Sequence, residues 1–144
     1  VTGTALIVFS GRTGLWWLRW LRPGFRHCFV LVRSGQGWLA LDPLAHRIVL
    51  ATIPDLSERA IAAHYRRHGC TIVVAPLCEP PRRAAPFALL TCVEAVKRVI
   101  GLPDRRVVTP WQLHCALLRR YGPLNAGLRF SEKADIASVT SCEA

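Results

Sequence analysis

Three residues placed far apart in this 144-residue chain have the types and surroundings needed for nucleophilic chemistry through a thiol. Cys92 falls in the first part of a helix predicted over residues 88–100, where Leu89, Val93, Val96 and Ile100 recur at three- and four-residue spacing and Gly101 stops the pattern. At a helix N-terminus the unpaired amides and the dipole favour a thiolate, which lowers the pKa that controls nucleophilicity. His27 lies at the start of a strand predicted over residues 25–32, whose alternation sets His27, Phe29 and Leu31 on one face. A histidine at a strand edge can face a cysteine on a helix packed against the sheet and serve as its base. Asp42 closes the next strand run, where a carboxylate would fix the imidazole tautomer and stabilise its charged form.

Each of these residues also has a plainer reading. A lone cysteine on a helix is more often a small buried hydrophobe, and a histidine at a strand start is more often structural. Cys78, His46 and His114 compete for the same roles but lack the strand-edge or helix-start placement. His64 and His68 stand four apart on a predicted helix with Cys70 close behind, a spacing by which two histidines can share a metal. HYRRH lacks the glutamate of the HExxH motif and no second ligand pair accompanies it, so no metal site is assigned. The six cysteines form no CxxC pair and no regular spacing, which argues for reduced thiols over a zinc ribbon or disulfide framework. Cys28 in HCFVLV and Cys115 in LHCALL read as core.

The elements that must position these residues follow from local pattern. Apolar runs at residues 4–9, 25–32, 37–41 and 47–53, joined by Ser34-Gly35 and Asp42-Pro43, predict an antiparallel meander. A helix capped by Asp55 or Ser57 and ended by Gly69 comes next, then a fifth strand run at residues 70–75. Residues 76–86, with four prolines and the pair Arg82-Arg83, read as a long loop. Thr109-Pro110-Trp111-Gln112 is a capping box with proline at the first helical position, and the helix it starts is expected to end at Tyr121-Gly122-Pro123. The expected class is α+β, an antiparallel sheet packed against helices, in one domain over residues 1–130. A polar tail, residues 131–144, would be disordered or bound to a partner.

The order GFRHCFVLV, then WLALDP, then a distant LLTCVEAVKRVIGL resembles the permuted papain-like superfamily. There the NlpC-type core is rearranged so that the histidine strand precedes the cysteine helix, as in lecithin:retinol acyltransferase-like proteins and several bacterial and viral hydrolases. The resemblance covers residues 5–100 and rests on topology and spacing. It implies a circularly permuted papain-like fold and a cysteine peptidase or amidase needing no cofactor. Cys92 would be the nucleophile, His27 the general base and Asp42 the orienting residue, with peptidoglycan peptide or another acyl-amide as substrate. The glycine-aspartate pair common on the first strand of that superfamily is absent, since residues 4–9 hold no acid.

Bulk composition widens the field of partners. Lysine and arginine outnumber acids by 19 to 9, a formal charge of +10, so a polyanionic neighbour is expected: cell wall, anionic lipid, nucleic acid or an acidic protein. The segment GLWWLRWLRPGF sets Trp16, Trp17 and Trp20 beside Arg19 and Arg22. That composition suits an anionic surface or a partner protein, and equally a cover over the sheet. Arg66-Arg67 and Arg82-Arg83 are solvated charge or an anion-binding rim. Nucleic acid is indicated by charge alone, without a recognition motif. A non-catalytic basic, virion-associated module that keeps the papain-like shape is the competing class. With no signal-peptide pattern and no apolar run near the roughly 18 residues of a membrane span, the expected location is the cytoplasm or a larger, phage-type assembly.

Overall fold

The computed structural model describes residues 3–79 and 89–125. Arg82, Arg83 and the predicted tail therefore lie outside the described residues. Strand β1 (Gly3–Ser10) is apolar along nearly its whole length because both of its faces are covered. Its alternation divides the core in two. Ala5, Ile7 and Phe9 pack in one cluster with Cys28, Val93, Val96, Ile100, Leu113 and Leu117, while Leu6 and Val8 pack in another with Leu31, Trp38, Ile61 and Ala62.

Around β1, strands β2 (His27–Ser34), β3 (Gly37–Pro43), β4 (Ile48–Ile53) and β5 (Thr71–Leu77) complete one five-stranded sheet in the order β4-β3-β2-β1-β5. Every pairing is antiparallel. Helix α1 (Glu58–Arg67) covers one face, and helices α2 (Cys92–Ile100) and α3 (Pro110–Asn125) cover the other. The fold is thus α+β, with the first four strands forming the expected meander and β5 returning beside β1. At the far edge β4 is largely exposed, with Leu50 62% accessible.

Caps set the helix limits. Ser57 Oγ accepts a hydrogen bond from the Ala60 amide at 3.1 Å. Thr91 Oγ1 accepts from the Glu94 amide at 3.2 Å. At α3 the box is reciprocal: the Gln112 amide donates to Thr109 Oγ1 at 3.3 Å, and Gln112 Oε1 accepts from the Thr109 amide at 3.0 Å.

Four expectations need correction. Helix α2 starts at Cys92 and not at residue 88, because Thr91 takes the capping geometry and Leu89 and Leu90 precede it as exposed, non-helical residues. Strand β2 starts at His27 because Phe25 still belongs to a turn, its amide donating to the Arg22 carbonyl at 2.9 Å. The α3 stop at Tyr121 is a break (φ −126°, ψ 18°) after which the helix resumes to Asn125, since Pro123 can open a new turn. Cys115 is only partly buried, off the face that carries Leu113 and Leu117. Helix α2 also buries a charged residue: Lys97 Nζ donates to the Val107 carbonyl at 3.0 Å and pairs with Glu94 at 2.9 Å.

Two glycines of similar backbone conformation separate strain from crowding. Gly69 (φ 78°) ends α1 in open space, whereas a Cβ at Gly101 (φ 66°) would stand 2.7 Å from the Cys78 carbonyl oxygen. Gly69→Ala is expected to cost about 1 kcal/mol for the left-handed backbone alone. Gly101→Ala must also displace the chain at Cys78 and should cost about 2–3 kcal/mol. Urea denaturation of the two variants measures the difference; equal losses would show that Cys78 gives way freely.

Candidate active site

The site forms at the end of the sheet where β1 finishes and β2 begins. Ser10 pairs with His27 and Phe9 with Cys28 on the last rungs of that ladder. In the next ladder Val30 pairs with Leu41, so the strand geometry carries Asp42 to the level of Phe29, diagonal to His27 and on its face. His27 Nε2 lies 2.6 Å from Asp42 Oδ1, a charge-assisted hydrogen bond. That bond occupies Nε2 and leaves Nδ1 as the nitrogen that can face a sulfur. The Phe29 ring stacks beside the imidazole at 6.3 Å and limits its rotation.

Cys92 is the first residue of α2, and it packs against the core cluster that contains Cys28, on the opposite side of the sheet from Phe29 and Tyr65. The expected arrangement, with the face of His27 turned to the cysteine helix, is therefore modified. His27 belongs to the α1 face, and it meets Cys92 at the end of the sheet, as the first residue of β2 on the last rung of the β1–β2 ladder. The Cys92 thiol is close enough to the Cys28 side chain and backbone and to His27 for these groups to set its protonation. The structure thus brings Cys92, His27 and Asp42 into one connected line. The side chains of His27 and Asp42 are 16% and 33% exposed, so the line is sheltered yet reachable from solvent.

This environment redistributes the protons. The hydrogen bond from Cys28 is the largest influence on Cys92; against the cost of burial, it and the bonds and charge of His27 hold the thiol at a pKa of about 4. Burial alone would lower the imidazole. The hydrogen bonds to Asp42 and Cys92 and their negative charges outweigh it and raise His27 to about 9. Cys28 moves the other way, pushed well above the ordinary thiol value by its bond to Cys92 and by its own burial. At neutral pH the arrangement is a Cys92 thiolate and a His27 imidazolium, with Cys28 retained as a neutral S–H donor. The pair titrates jointly, so these values belong to the pair.

Cys28 is the participant that sequence reasoning assigned only to the core. It is fully buried, as a core cysteine should be, and its role comes from lying one residue beyond His27 on the opposite face. The signal was present in the dipeptide His27-Cys28 at a strand start, where consecutive side chains flank the strand end.

The remaining candidates lie elsewhere. His46 is exposed in the β3–β4 connection. His114 sits in an aromatic cluster with Phe9, Phe25 and Trp111, and burial lowers its pKa. Cys78 packs its backbone against Gly101. His68 Nδ1 donates to the His64 carbonyl at 2.8 Å, a local helix-end bond. Among the described residues no group of three or more His, Cys, Asp or Glu side chains could hold a metal ion, and no helix is long and apolar enough to cross a membrane. No family model, no curated protein and no solved structure matches this chain.

Because Cys28 supplies the leading stabilisation of the thiolate, Cys28→Ala should raise the pH midpoint of Cys92 alkylation from about 4 toward the ordinary thiol range. Iodoacetamide rates measured between pH 3 and 9 report this midpoint. An unchanged midpoint would mean that His27 alone holds the charge.

Proposed function

We propose that the chain is a cysteine hydrolase of the permuted papain-like kind, acting on an amide or thioester-like bond through an acyl-enzyme. The observation that carries this reading is the line Cys92–His27–Asp42, with the cysteine at the first position of a helix and the carboxylate on the far nitrogen of the imidazole. The histidine strand preceding the cysteine helix is the order expected of the circularly permuted fold.

In the proposed reaction the Cys92 thiolate attacks the substrate carbonyl carbon, forming the C–S bond while the carbonyl π electrons move to oxygen. The first-turn backbone amides of α2, that of Cys92 among them, face the developing oxyanion. Collapse of the tetrahedral intermediate breaks the bond to the leaving group, which takes the proton from the His27 imidazolium and departs as an amine or thiol. A water molecule then attacks the thioester, His27 accepts its proton, and the acid product leaves with the thiolate restored. Asp42 keeps the Nε2–H oriented and the imidazolium stabilised in both halves. Peptidoglycan peptide or another acyl-amide is the substrate class implied by the resemblance.

A second reading, a non-catalytic basic interaction module of this shape, is favoured by the exposure of Trp16, Trp17 and Trp20. A cysteine-directed epoxide probe separates the two. The hydrolase reading expects selective labelling of Cys92 that falls about 100-fold or more in His27→Ala. Uniform slow labelling of all thiols would assign the chain to the interaction class.

For a cleaved acyl-amide the pH profile of kcat/KM should be bell-shaped. Its acid limb lies near 4, where the thiolate is lost, and its alkaline limb near 9, where the imidazolium can no longer protonate the leaving group. Alkylation of Cys92 should show the acid limb only. A kcat/KM that continues to rise above pH 9 would contradict the assignment of His27 as the proton donor.

A further inference from the structure

Residues 11–26 leave the sheet at Ser10 and return at His27, so this loop stands at the same end of the sheet as the Cys92 site. Its neck is closed. The Arg26 amide donates to the Ser10 carbonyl at 3.0 Å, and a Cβ on Gly11 would meet the Gly24 backbone at 3.1 Å. Its returning limb is fastened to α3: the Arg22 guanidinium lies 3.8 Å over the Trp111 ring, and the Phe25 ring meets Trp111 at 4.7 Å.

At the tip is a short 3-10 helix (Trp16–Trp20), and its period of three sorts its side chains. Leu15, Leu18 and Leu21 recur at that period and are the less exposed set. Trp16, Trp17 and Trp20 point the other way and are 74%, 53% and 88% exposed. The leucines are half-buried, and the tryptophans are left as the most exposed apolar surface of the loop. Leu89 and Leu90, immediately before Thr91 and Cys92, are also exposed, at 81% and 59%.

Charge decides what would cover it. The first acidic residue in the chain is Asp42, and the segment before it carries Arg12, Arg19, Arg22, Arg26 and Arg33. Arg12, Arg19 and Arg22 are exposed on the loop itself. Indole rings with an amphipathic body, flanked by guanidinium groups and no carboxylates, match the boundary between acyl chains and anionic headgroups.

We propose that the loop over residues 11–26 docks the protein on an anionic lipid surface, with Trp16, Trp17 and Trp20 inserted at headgroup depth and Arg12 and Arg19 against the headgroup charges. Docked this way, the mouth of the Cys92 site is held close to the surface. The docking does not require the hydrolase reading to be correct.

The test uses the full chain with vesicles of phosphatidylcholine alone and of phosphatidylglycerol mixed with phosphatidylcholine, scored by co-sedimentation. Binding is expected to the anionic vesicles only, with quenching of tryptophan emission when brominated lipid is included. Arg12→Gln with Arg19→Gln should weaken it about 25-fold, at about fivefold for each charge. Trp16→Ser with Trp20→Ser should abolish it while circular dichroism stays native; should that variant unfold, quenching of the wild-type chain by brominated lipid decides the point. Equal binding to both vesicles, or none, overturns the proposal, as does capture by polyglutamate in place of vesicles, which would assign the loop to an acidic protein. Cys92→Ser should bind vesicles like the wild type and lose only probe labelling, so that failure of docking and failure of the catalytic assignment are read separately.

Discussion

A single imidazole serves partners on opposite faces of a sheet, and it can do so only at the end of a strand. Asp42 lies on the α1 face with His27 and Phe29, whereas Cys92 packs on the α2 face with Cys28. One residue further into β2, the backbone and the neighbouring strands would stand between the two. The site therefore depends on the register that makes Ser10–His27 the terminal rung. That register is fixed by the core: slipping β1 by one residue would exchange Ala5, Ile7 and Phe9 with Leu6 and Val8 between clusters of different shape. Packing far from the chemistry is what places the histidine.

A buried thiolate and imidazolium are costly to desolvate, and such a pair persists only when further hydrogen bonds satisfy it. Asp42 serves the imidazolium and Cys28 serves the thiolate. The helix that carries Cys92 is itself held firmly. Thr91 caps its start, and Lys97, buried between Glu94 and the Val107 carbonyl, ties its middle to the chain leading into α3. A charged amine in that position is held by oriented acceptors, which resists sliding or rotation of α2 against the sheet better than apolar contacts alone.

The sequence was most legible where one local rule decides the outcome. The alternating core of β1, the capping box at Thr109 and the glycine stops at Gly69 and Gly101 need only neighbouring residues to explain them. The start of α2 was less so, because Leu89 matches the helical apolar period yet lies exposed before the cap. Period alone cannot reveal a start that Thr91 fixes through one hydrogen bond. Cys92, His27 and Asp42 were legible as candidates through residue type and the order of elements. The part played by Cys28 was not, since apolar surroundings are the same evidence for a core cysteine and for a buried donor. The burial of Lys97 depends on a carbonyl ten residues away, which no helical pattern can show.

The tryptophan segment illustrates a different limit. Hydrophobicity says how much apolar surface a segment has, but its period says which part of that surface the protein keeps. Within the 3-10 helix Leu18 is half-buried while Trp16, Trp17 and Trp20 are exposed, and the extended residues Leu15 and Leu21 on either side are half-buried as well. The segment buries no residue fully: its leucines are half-buried and its tryptophans are exposed. Because the loop's neck is closed at Ser10 and Gly11 and its returning limb is clamped on Trp111, its orientation is tied to the same rung that orients His27. Contact at the indoles and geometry at the imidazole therefore share one short, stiff stretch of backbone.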